Sequence, residues 1–169
     1  GYGGSCFPKD TLALIRMAQE YGVSSRIVEA VVEVNASQKA RMVAKIRKAL
    51  GGSEADKKIA VLGLTFKPET DDMRDAPALA ILPALADKCA IITAHDPEGM
   101  DEARALLPRS ISFADTINEA VKDADAIVLM TEWNEYRGLN LSEIKATMRG
   151  DVFVDLRNVY EQNLMKEHG

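Results

Sequence analysis

The residues best suited to chemistry lie in a glycine-rich loop over residues 1–10. Cys6 stands two residues before Pro8, whose fixed φ and missing N–H favour the first turn of a helix. The helix dipole and the neighbouring Lys9 would both favour the thiolate of Cys6, which is its nucleophilic form. Asp10 could orient a water molecule or hold a partner cation. The loop therefore indicates an activated nucleophile, and a small buried cysteine in a turn is the alternative interpretation.

Short apolar strands alternate with helices in the second part of the chain, and these elements must position the loop. The predicted strands cover residues 58–63, 90–96, 126–131 and 151–155, and the predicted helices cover residues 76–86, 99–106, 116–122 and 141–148. This alternation predicts an α/β fold with a Rossmann-like, doubly wound parallel sheet. Ligands bind beyond the carboxyl ends of such strands, which here are followed by residues 64–75, 131–136 and 156–160. No complete GxGxxG follows any strand, so the dinucleotide fingerprint is absent.

Two helices are predicted before the sheet, over residues 11–21 and 25–50. The second contains neither Gly nor Pro and would be roughly 40 Å long. Its first half is apolar on more than one side, so it needs two packing partners. We expect a second copy of the chain to be one of them, and packing on the following domain alone is the alternative. Residues 1–50 are therefore a cysteine loop with a central dimerisation helix, and residues 51–169 are an α/β domain.

Composition excludes several classes of function. The 169 residues are 47% hydrophobic and 28% charged, which is typical of a globular protein rather than a disordered one. The net charge of -5 disfavours binding to nucleic acid. The two cysteines form neither a disulfide framework nor a metal-binding pattern, which favours a reducing compartment and no bound metal. No apolar run approaches the roughly 20 residues that span a bilayer, so we expect a cytoplasmic protein without a membrane segment.

Three motifs resemble those of one enzyme family. The octet Gly-Gly-Ser-Cys-Phe-Pro-Lys-Asp over residues 3–10 resembles the nucleophile motif of the UDP-glucose/GDP-mannose dehydrogenase family. Residues 63–75, Gly-Leu-Thr-Phe-Lys-Pro-Glu-Thr-Asp-Asp-Met-Arg-Asp, resemble the second signature of that family, and Asp-Leu-Arg-Asn over residues 155–158 resembles a third. The motifs occur in the family's order and span essentially the whole chain. The resemblance implies a UDP-sugar-binding function for residues 51–169.

The resemblance also implies a reaction. Members of the family oxidise a primary alcohol to a carboxylate with two NAD, here UDP-glucose to UDP-glucuronate for polysaccharide biosynthesis. A cysteine thiolate adds to the intermediate aldehyde, and the thiohemiacetal becomes a thioester that water hydrolyses. A sister enzyme acting on GDP-mannose or a UDP-N-acetylhexosamine is one alternative, although Phe7 and Lys9 favour UDP-glucose. A non-catalytic nucleotide-binding module is another, and the intact Cys6 motif argues against it.

Site residues follow from the same resemblance, position by position. Cys6 resembles the nucleophile, and Asp10 resembles the acid that positions the hydrolytic water. The implied substrate contacts are Tyr2, Gly3, Phe66, Lys67 and Arg157, and the implied NAD contacts are Lys9 and Arg74. Lys67 and Arg74 have an alternative as solvated loop charges, and Arg157 has one as a partner of Asp155.

The family's amino-terminal NAD-binding domain has no counterpart in this sequence, which begins at Gly1 within the loop. We therefore expect a fragment of a longer protein that has no dehydrogenase activity by itself. Without that domain, residues 1–10 are expected to be mobile or displaced. Of the remaining candidates, Cys89 is expected to fill the core, His95 to lie in a turn and Trp133 to pack at a strand end.

Overall fold

A computed structural model describes residues 1–168 of the chain. Five parallel strands form one sheet, in the order β3-β2-β1-β4-β5, and helices cover it. The strands are β1 (Lys58–Leu62), β2 (Ile91–His95), β3 (Ser112–Phe113), β4 (Ala126–Leu129) and β5 (Val152–Asp155). The helices are α1 (Phe7–Glu20), α2 (Arg26–Ala49), α3 (Ala78–Ala86), α4 (Met100–Leu106), α5 (Ile117–Val121), α6 (Asn134–Arg137), α7 (Leu141–Thr147) and α8 (Gln162–Glu167).

The sheet is doubly wound, because the chain runs outward from β1 to β3 and then returns to the other side of β1. The central strands β1 and β4 are buried on both faces, as expected for apolar strands covered by helices. One face packs against α3 through Ile81, Leu82 and Leu85, and the other packs against α5 and α7. The predicted α/β, Rossmann-like class of fold is confirmed.

The structure differs from the sequence predictions mainly at short elements. Strand β3 has two residues, and helices α6 and α8 have four and six, so none shows a periodic pattern long enough to recognise. Helix α1 begins at Phe7 rather than at residue 11, because a proline is tolerated inside the first helical turn. The other element boundaries shift by no more than two residues.

The long helix α2 belongs to the core of the α/β unit at its carboxyl end. Ile46 is fully buried there, and Met42 and Val43 pack against the same apolar cluster as α3. Arg47 donates two hydrogen bonds to Glu54, at 2.8 and 2.6 Å, and these bonds hold the pKa of Glu54 below its ordinary value. The helix is therefore fastened to the segment that leads into β1.

The amino-terminal half of α2 and most of α1 present apolar side chains to solvent. Ile27 is 82% exposed and Val34 is 63% exposed, and Phe7 and Met17 of α1 are also exposed. Of the two apolar sides of α2, only one thus packs against another element within residues 1–168. No helix in that range combines the length and apolar character that a membrane crossing requires.

Replacement of Ile46 by alanine tests whether α2 is part of the core. Because the side chain has 0% exposure, the cavity and the lost burial should lower the free energy of unfolding by about 2–5 kcal/mol. Urea titration followed by circular dichroism measures this change. The control is Leu106→Ala, at a side chain that is 55% exposed, which should cost less than about 1 kcal/mol. Equal losses in the two variants would contradict the assignment of α2 to the core.

Candidate functional site

Three loops meet at the carboxyl ends of the central strands. The β1–α3 loop (residues 63–77) lies beside the start of the β4–α6 loop, where the Thr131 hydroxyl donates a 2.6 Å hydrogen bond to the carbonyl of Thr65. The β4–α6 loop in turn contacts the segment after β5 through an ion pair between Glu132 and Arg157. This is the edge at which ligands bind in open α/β sheets.

The buried carboxylate of Asp96 hydrogen-bonds to two of these loops. Asp96 follows β2 and has 0% exposure. Its Oδ2 accepts hydrogen bonds from the backbone N–H groups of Leu64, at 2.6 Å, and Thr65, at 3.1 Å, and from the indole N–H of Trp133, at 3.3 Å. Its Oδ1 accepts from the N–H of Gly99 at 2.8 Å. Because a buried carboxylate must be fully hydrogen-bonded, Asp96 fixes the start of the β1–α3 loop.

The same contacts bear on cofactor binding. In a dinucleotide fold, the N–H groups at the turn after the first strand hold the pyrophosphate. Here the N–H groups of Leu64 and Thr65 are already occupied by the Asp96 carboxylate. This turn therefore does not fit the pyrophosphate of NAD, in agreement with the absence of a complete GxGxxG.

The cysteine loop (residues 1–6) lies on the β1–α3 loop. The N–H of Gly4 donates a 2.7 Å hydrogen bond to the carbonyl of Arg74. A Cβ atom at Gly4 would lie 2.7 Å from the ring of Phe66, and the φ of +86° further favours glycine. On the other side, the side chain of Asn35 hydrogen-bonds the backbone of Tyr2. The loop is thus seated between α2 and the sheet edge.

Cys6 is exposed and directly precedes α1. Its carbonyl accepts a 2.8 Å hydrogen bond from the N–H of Asp10, and its Sγ lies 3.7 Å from Oγ of Ser5. The alternative of a small buried cysteine in a turn is therefore wrong. The sulfur thus combines solvent access with a position at the N-terminus of α1.

Two cations lie near the sulfur. Lys9 forms a 2.7 Å ion pair with Asp10 in the first turn of α1, and both side chains are exposed. The pKa of Arg74 is raised, first by its hydrogen bond to Asp72 and to a smaller extent by the neighbouring Cys6. The pKa of Lys9 is raised in the same way, first by the hydrogen bond with Asp10. Arg74 and Lys9 therefore share the electrostatic environment of Cys6.

The β1–α3 loop supplies the second group of predicted site residues. The half-buried ring of Phe66 lies against Gly4, and the ammonium of exposed Lys67 lies 5.4 Å from the centroid of that ring. Arg74 is exposed and donates two hydrogen bonds to Asp72, at 2.9 and 2.8 Å. Phe66 thus supports the cysteine loop directly, while Lys67 and Arg74 face solvent at its border.

Arg157 lies after β5, and its guanidinium pairs with Glu132, while Asp155, the alternative partner, caps its backbone. Its Nε and Nη2 both donate to the carboxylate of Glu132, the latter at 2.6 Å, whereas Asp155 accepts the backbone N–H of Arg157 at 2.7 Å. Burial by itself would raise the pKa of Glu132 and is the largest single influence on it. The hydrogen bond from Arg157, a backbone hydrogen bond and the charges of Arg157 and Arg137 together outweigh burial and hold the pKa below its ordinary value. The side-on pairing leaves the outer N–H groups of the guanidinium available to a ligand.

Helix α2 borders the same edge. Lys39 of α2 donates a 3.4 Å hydrogen bond to the carbonyl of Asp75 in the β1–α3 loop, and Lys45 donates a 3.1 Å hydrogen bond to the carbonyl of Asp155 at the end of β5. Tyr2, Gly3, Cys6, Phe66, Lys67, Arg74 and Arg157 are therefore brought to one edge of the molecule, with Lys9 and Asp10 beside them.

Sequence analysis missed the residues that hold this edge together, and it misplaced two others. Asp96 after a strand and Asn35 within an apolar helix are unusual enough to have been noticed, because asparagine is a poor residue for helix interiors. Cys89 is exposed rather than a core residue, and His95 is the last residue of β2 and is buried rather than in a turn. Among the described side chains, no group of three or more His, Cys, Asp or Glu residues is placed to hold a metal ion.

The sheet, its loop-covered carboxyl edge and the exposed cysteine define a Rossmann-like α/β protein with an accessible thiol beside the ligand edge. The central domain of the UDP-glucose/GDP-mannose dehydrogenase family matches residues 1–37, and the UDP binding domain of the same family matches residues 60–162. The chain belongs to the UDP-glucose/GDP-mannose dehydrogenase family.

Individual relatives agree with this membership. The chain is 51% identical to the UDP-glucose 6-dehydrogenase of Rhizobium meliloti and 38% identical to the UDP-glucose 6-dehydrogenase TuaD of Bacillus subtilis. Each match covers 100% of this chain and 38% or 36% of the relative. A solved UDP-glucose dehydrogenase from the archaeon Pyrobaculum islandicum superimposes with a TM-score of 0.84 at 36% identity, over 96% of this chain and 36% of that one. The chain thus spans little more than a third of the relatives that it matches.

Replacement of Asp96 by asparagine tests the buried carboxylate. The amide places donors against the N–H groups of Leu64, Thr65 and Gly99, so the free energy of unfolding should fall by about 2–4 kcal/mol. Urea titration measures the loss. Asp115→Asn, at an exposed carboxylate, is the matched control and should change stability by less than about 0.5 kcal/mol. A D96N variant as stable as this control would contradict the role of Asp96.

Proposed function

We propose that the chain is the cysteine-bearing part of an NAD-dependent enzyme that oxidises UDP-glucose to UDP-glucuronate. The observation that carries the proposal is the exposed Cys6 at the N-terminus of α1, seated over the ligand edge of the sheet by the contact of Gly4 with Arg74. The names of the relatives at 51% and 38% identity agree with UDP-glucose as the substrate. The two exposed free thiols fit a cytoplasmic protein, because reducing compartments keep cysteines unpaired.

The chemistry explains why a cysteine is needed. Removal of one hydride and one proton from the C6 alcohol leaves an aldehyde, which has no hydride to release towards the acid until a nucleophile adds to it. The Cys6 thiolate forms a bond to the aldehyde carbon and the oxygen takes a proton, which gives a thiohemiacetal. Loss of its hydride and hydroxyl proton gives a thioester. Water then adds to the carbonyl and displaces the thiolate, which leaves the carboxylate. NAD, when bound, accepts one hydride in each oxidation.

The other residues of the edge have roles beside Cys6. Asp10 positions the hydrolytic water, and the backbone of Tyr2 and Gly3 lies along the sugar nucleotide. Arg157 turns its outer N–H groups towards a ligand oxygen while Glu132 holds the inner ones. Phe66 and Lys67 complete the substrate contacts, with Phe66 acting through its support of the cysteine loop.

NAD contacts from this chain are confined to Arg74 and Lys9. The exposed fork of Arg74 suits a pyrophosphate that approaches from solvent, whereas the turn after β1 is occupied by Asp96. The cofactor is therefore held mainly by a separate amino-terminal domain that these 169 residues do not include. Taken alone, this chain is expected to be inactive.

Two alternatives to this function can be tested: a different sugar nucleotide as the substrate, and a nucleotide-binding module without catalysis. A solved relative named UDP-D-ManNAc dehydrogenase, from Pyrococcus horikoshii, is 27% identical, so a UDP-N-acetylhexosamine is a weaker candidate than UDP-glucose, as is GDP-mannose. A non-catalytic nucleotide-binding module would have no use for an exposed thiol in this loop. Rates with the three kinds of sugar nucleotide, measured on the complete gene product that contains this sequence, decide among the substrates.

The Cys6→Ser variant of that gene product tests the proposed chemistry. A serine hydroxyl is a poorer nucleophile at neutral pH, so turnover to UDP-glucuronate should fall at least about a thousand-fold. Formation of NADH and of the carboxylate product is followed together. Cys89→Ser is the control, because Cys89 is also exposed but precedes β2 at the opposite end of the sheet, and it should keep full activity. Undiminished turnover in C6S would refute the proposal.

A homodimer through α2 belongs to the same proposal. Ile27, Val31 and Val34 form an uncovered apolar strip on the amino-terminal half of the helix, and Leu12 and Met17 of α1 are exposed as well. Patches of this kind on a soluble domain mark protein–protein contacts. A second copy of the same strip would cover it with two-fold symmetry.

Light scattering at several protein concentrations tests the dimer. The wild-type chain should have twice the mass of one copy, and Val34→Glu should reduce the mass to that of one copy, because a carboxylate would be buried in the contact. Leu106→Glu is the matched control, since it places the same charge on an exposed apolar position of α4 and should leave the dimer intact. A wild-type chain that stays monomeric at high concentration would rule out this interface.

A further inference from the structure

A single uncharged amide stands out on the apolar half of α2. Asn35 uses both ends of its side chain on one residue of the cysteine loop: Oδ1 accepts from the backbone N–H of Tyr2 at 2.8 Å, and Nδ2 donates to the carbonyl of Tyr2 at 3.1 Å. Asparagine is unfavourable in helix interiors because its side chain competes for backbone hydrogen bonds. Here the side chain instead hydrogen-bonds to the backbone of a residue 33 positions earlier in the chain.

The two bonds form one of two attachments that hold the loop. The second is the 2.7 Å hydrogen bond from the N–H of Gly4 to the carbonyl of Arg74. Tyr2 is thus fixed to a helix and Gly4 to the sheet edge, and Cys6 follows two residues later at the start of α1. With both attachments in place, the backbone leading to the sulfur has few alternative paths.

We infer that Asn35 is a positioning residue for Cys6, which sets the sulfur at the distance from the sugar nucleotide that addition to the aldehyde requires. The inference rests on the proposed role of Cys6 as the nucleophile. Asn35 itself touches neither the sulfur nor the reacting carbon in this arrangement. It acts through the backbone of Tyr2, which it holds in register with α2.

The chemistry of the side chain explains why an amide is needed. Aspartate keeps an acceptor for the N–H of Tyr2, but its second oxygen cannot donate to the carbonyl of Tyr2 and repels it. Alanine leaves both backbone groups of Tyr2 to water and frees the loop. Alanine is also the better helix former, which offsets part of the cost of the two lost hydrogen bonds, and the melting temperature of Asn35→Ala is measured beside its rates. Rates compared well below that melting temperature then exclude unfolding as the cause of a defect.

The two oxidations respond differently to a misplaced sulfur, and this difference is the test. The first needs no thiolate, whereas the second needs the thiohemiacetal. In the complete gene product, Asn35→Ala should slow the second oxidation by at least about tenfold relative to the first, because small errors in position are costly to reaction rates. In a single turnover, NADH formed per UDP-glucose consumed should fall from two towards one, and a hydrazide reagent should capture the aldehyde. Asn35→Asp, which keeps one of the two bonds, should be intermediate.

Two variants make the result decisive. Ser37→Ala is the matched control on the same helix, since its hydroxyl bonds only to the carbonyl of Val34, and it should keep the wild-type stoichiometry. Proportional slowing of both oxidations in N35A, or no change in either, would overturn the inference. Cys6→Ser in the same assay separates the two proposals: if it traps aldehyde and N35A does not, only the role of Asn35 fails, and if it forms two NADH, the proposed function fails.

Discussion

The carboxylate of Asp96 is the interaction on which the rest of the edge depends. It lies at the end of β2, is inaccessible to solvent, and accepts hydrogen bonds from the segments that follow β1, β2 and β4. A buried negative charge tolerates no missing donor, so these segments have little freedom relative to one another. The β1–α3 loop is thereby held in place, and its contacts through Phe66 and Arg74 restrain the cysteine loop in turn.

The same interaction shows how a dinucleotide-type sheet can serve another purpose. The turn after β1 directs two N–H groups at the carboxylate of Asp96. The sheet then serves as a platform for the loops at its carboxyl edge, and a separate segment that carries the exposed cysteine lies over them. Fold alone would have indicated a dinucleotide site here, and the contacts of Asp96 argue against it.

Sequence regularity accounts for what could be predicted. The long strands and helices have apolar residues at regular spacing, and Pro8 and the glycines placed Cys6 at a helix N-terminus. The residues that join the parts could not be found in this way, because they act over sequence separations of 25–33 positions: Glu132 on Arg157, Asp96 on Leu64 and Asn35 on Tyr2. Nothing local in the chain specifies such partners. Likewise, Asp155 was considered as an alternative partner for Arg157, whereas Glu132 was not considered, because the adjacency of β4 and β5 at that point is visible only in three dimensions.

The close approach of Gly4 to Phe66 has a consequence for how this family can diversify. The two positions share one small volume, in which a ring on one side leaves no room for a methyl group on the other. Shrinking the ring would not free the first position, because its φ of +86° strains any residue that carries a side chain, whatever the space beside it. Homologous sequences should therefore keep the glycine even where a smaller residue replaces the ring, and a cysteine segment grafted between distant members should depend on the glycine more than on the aromatic residue.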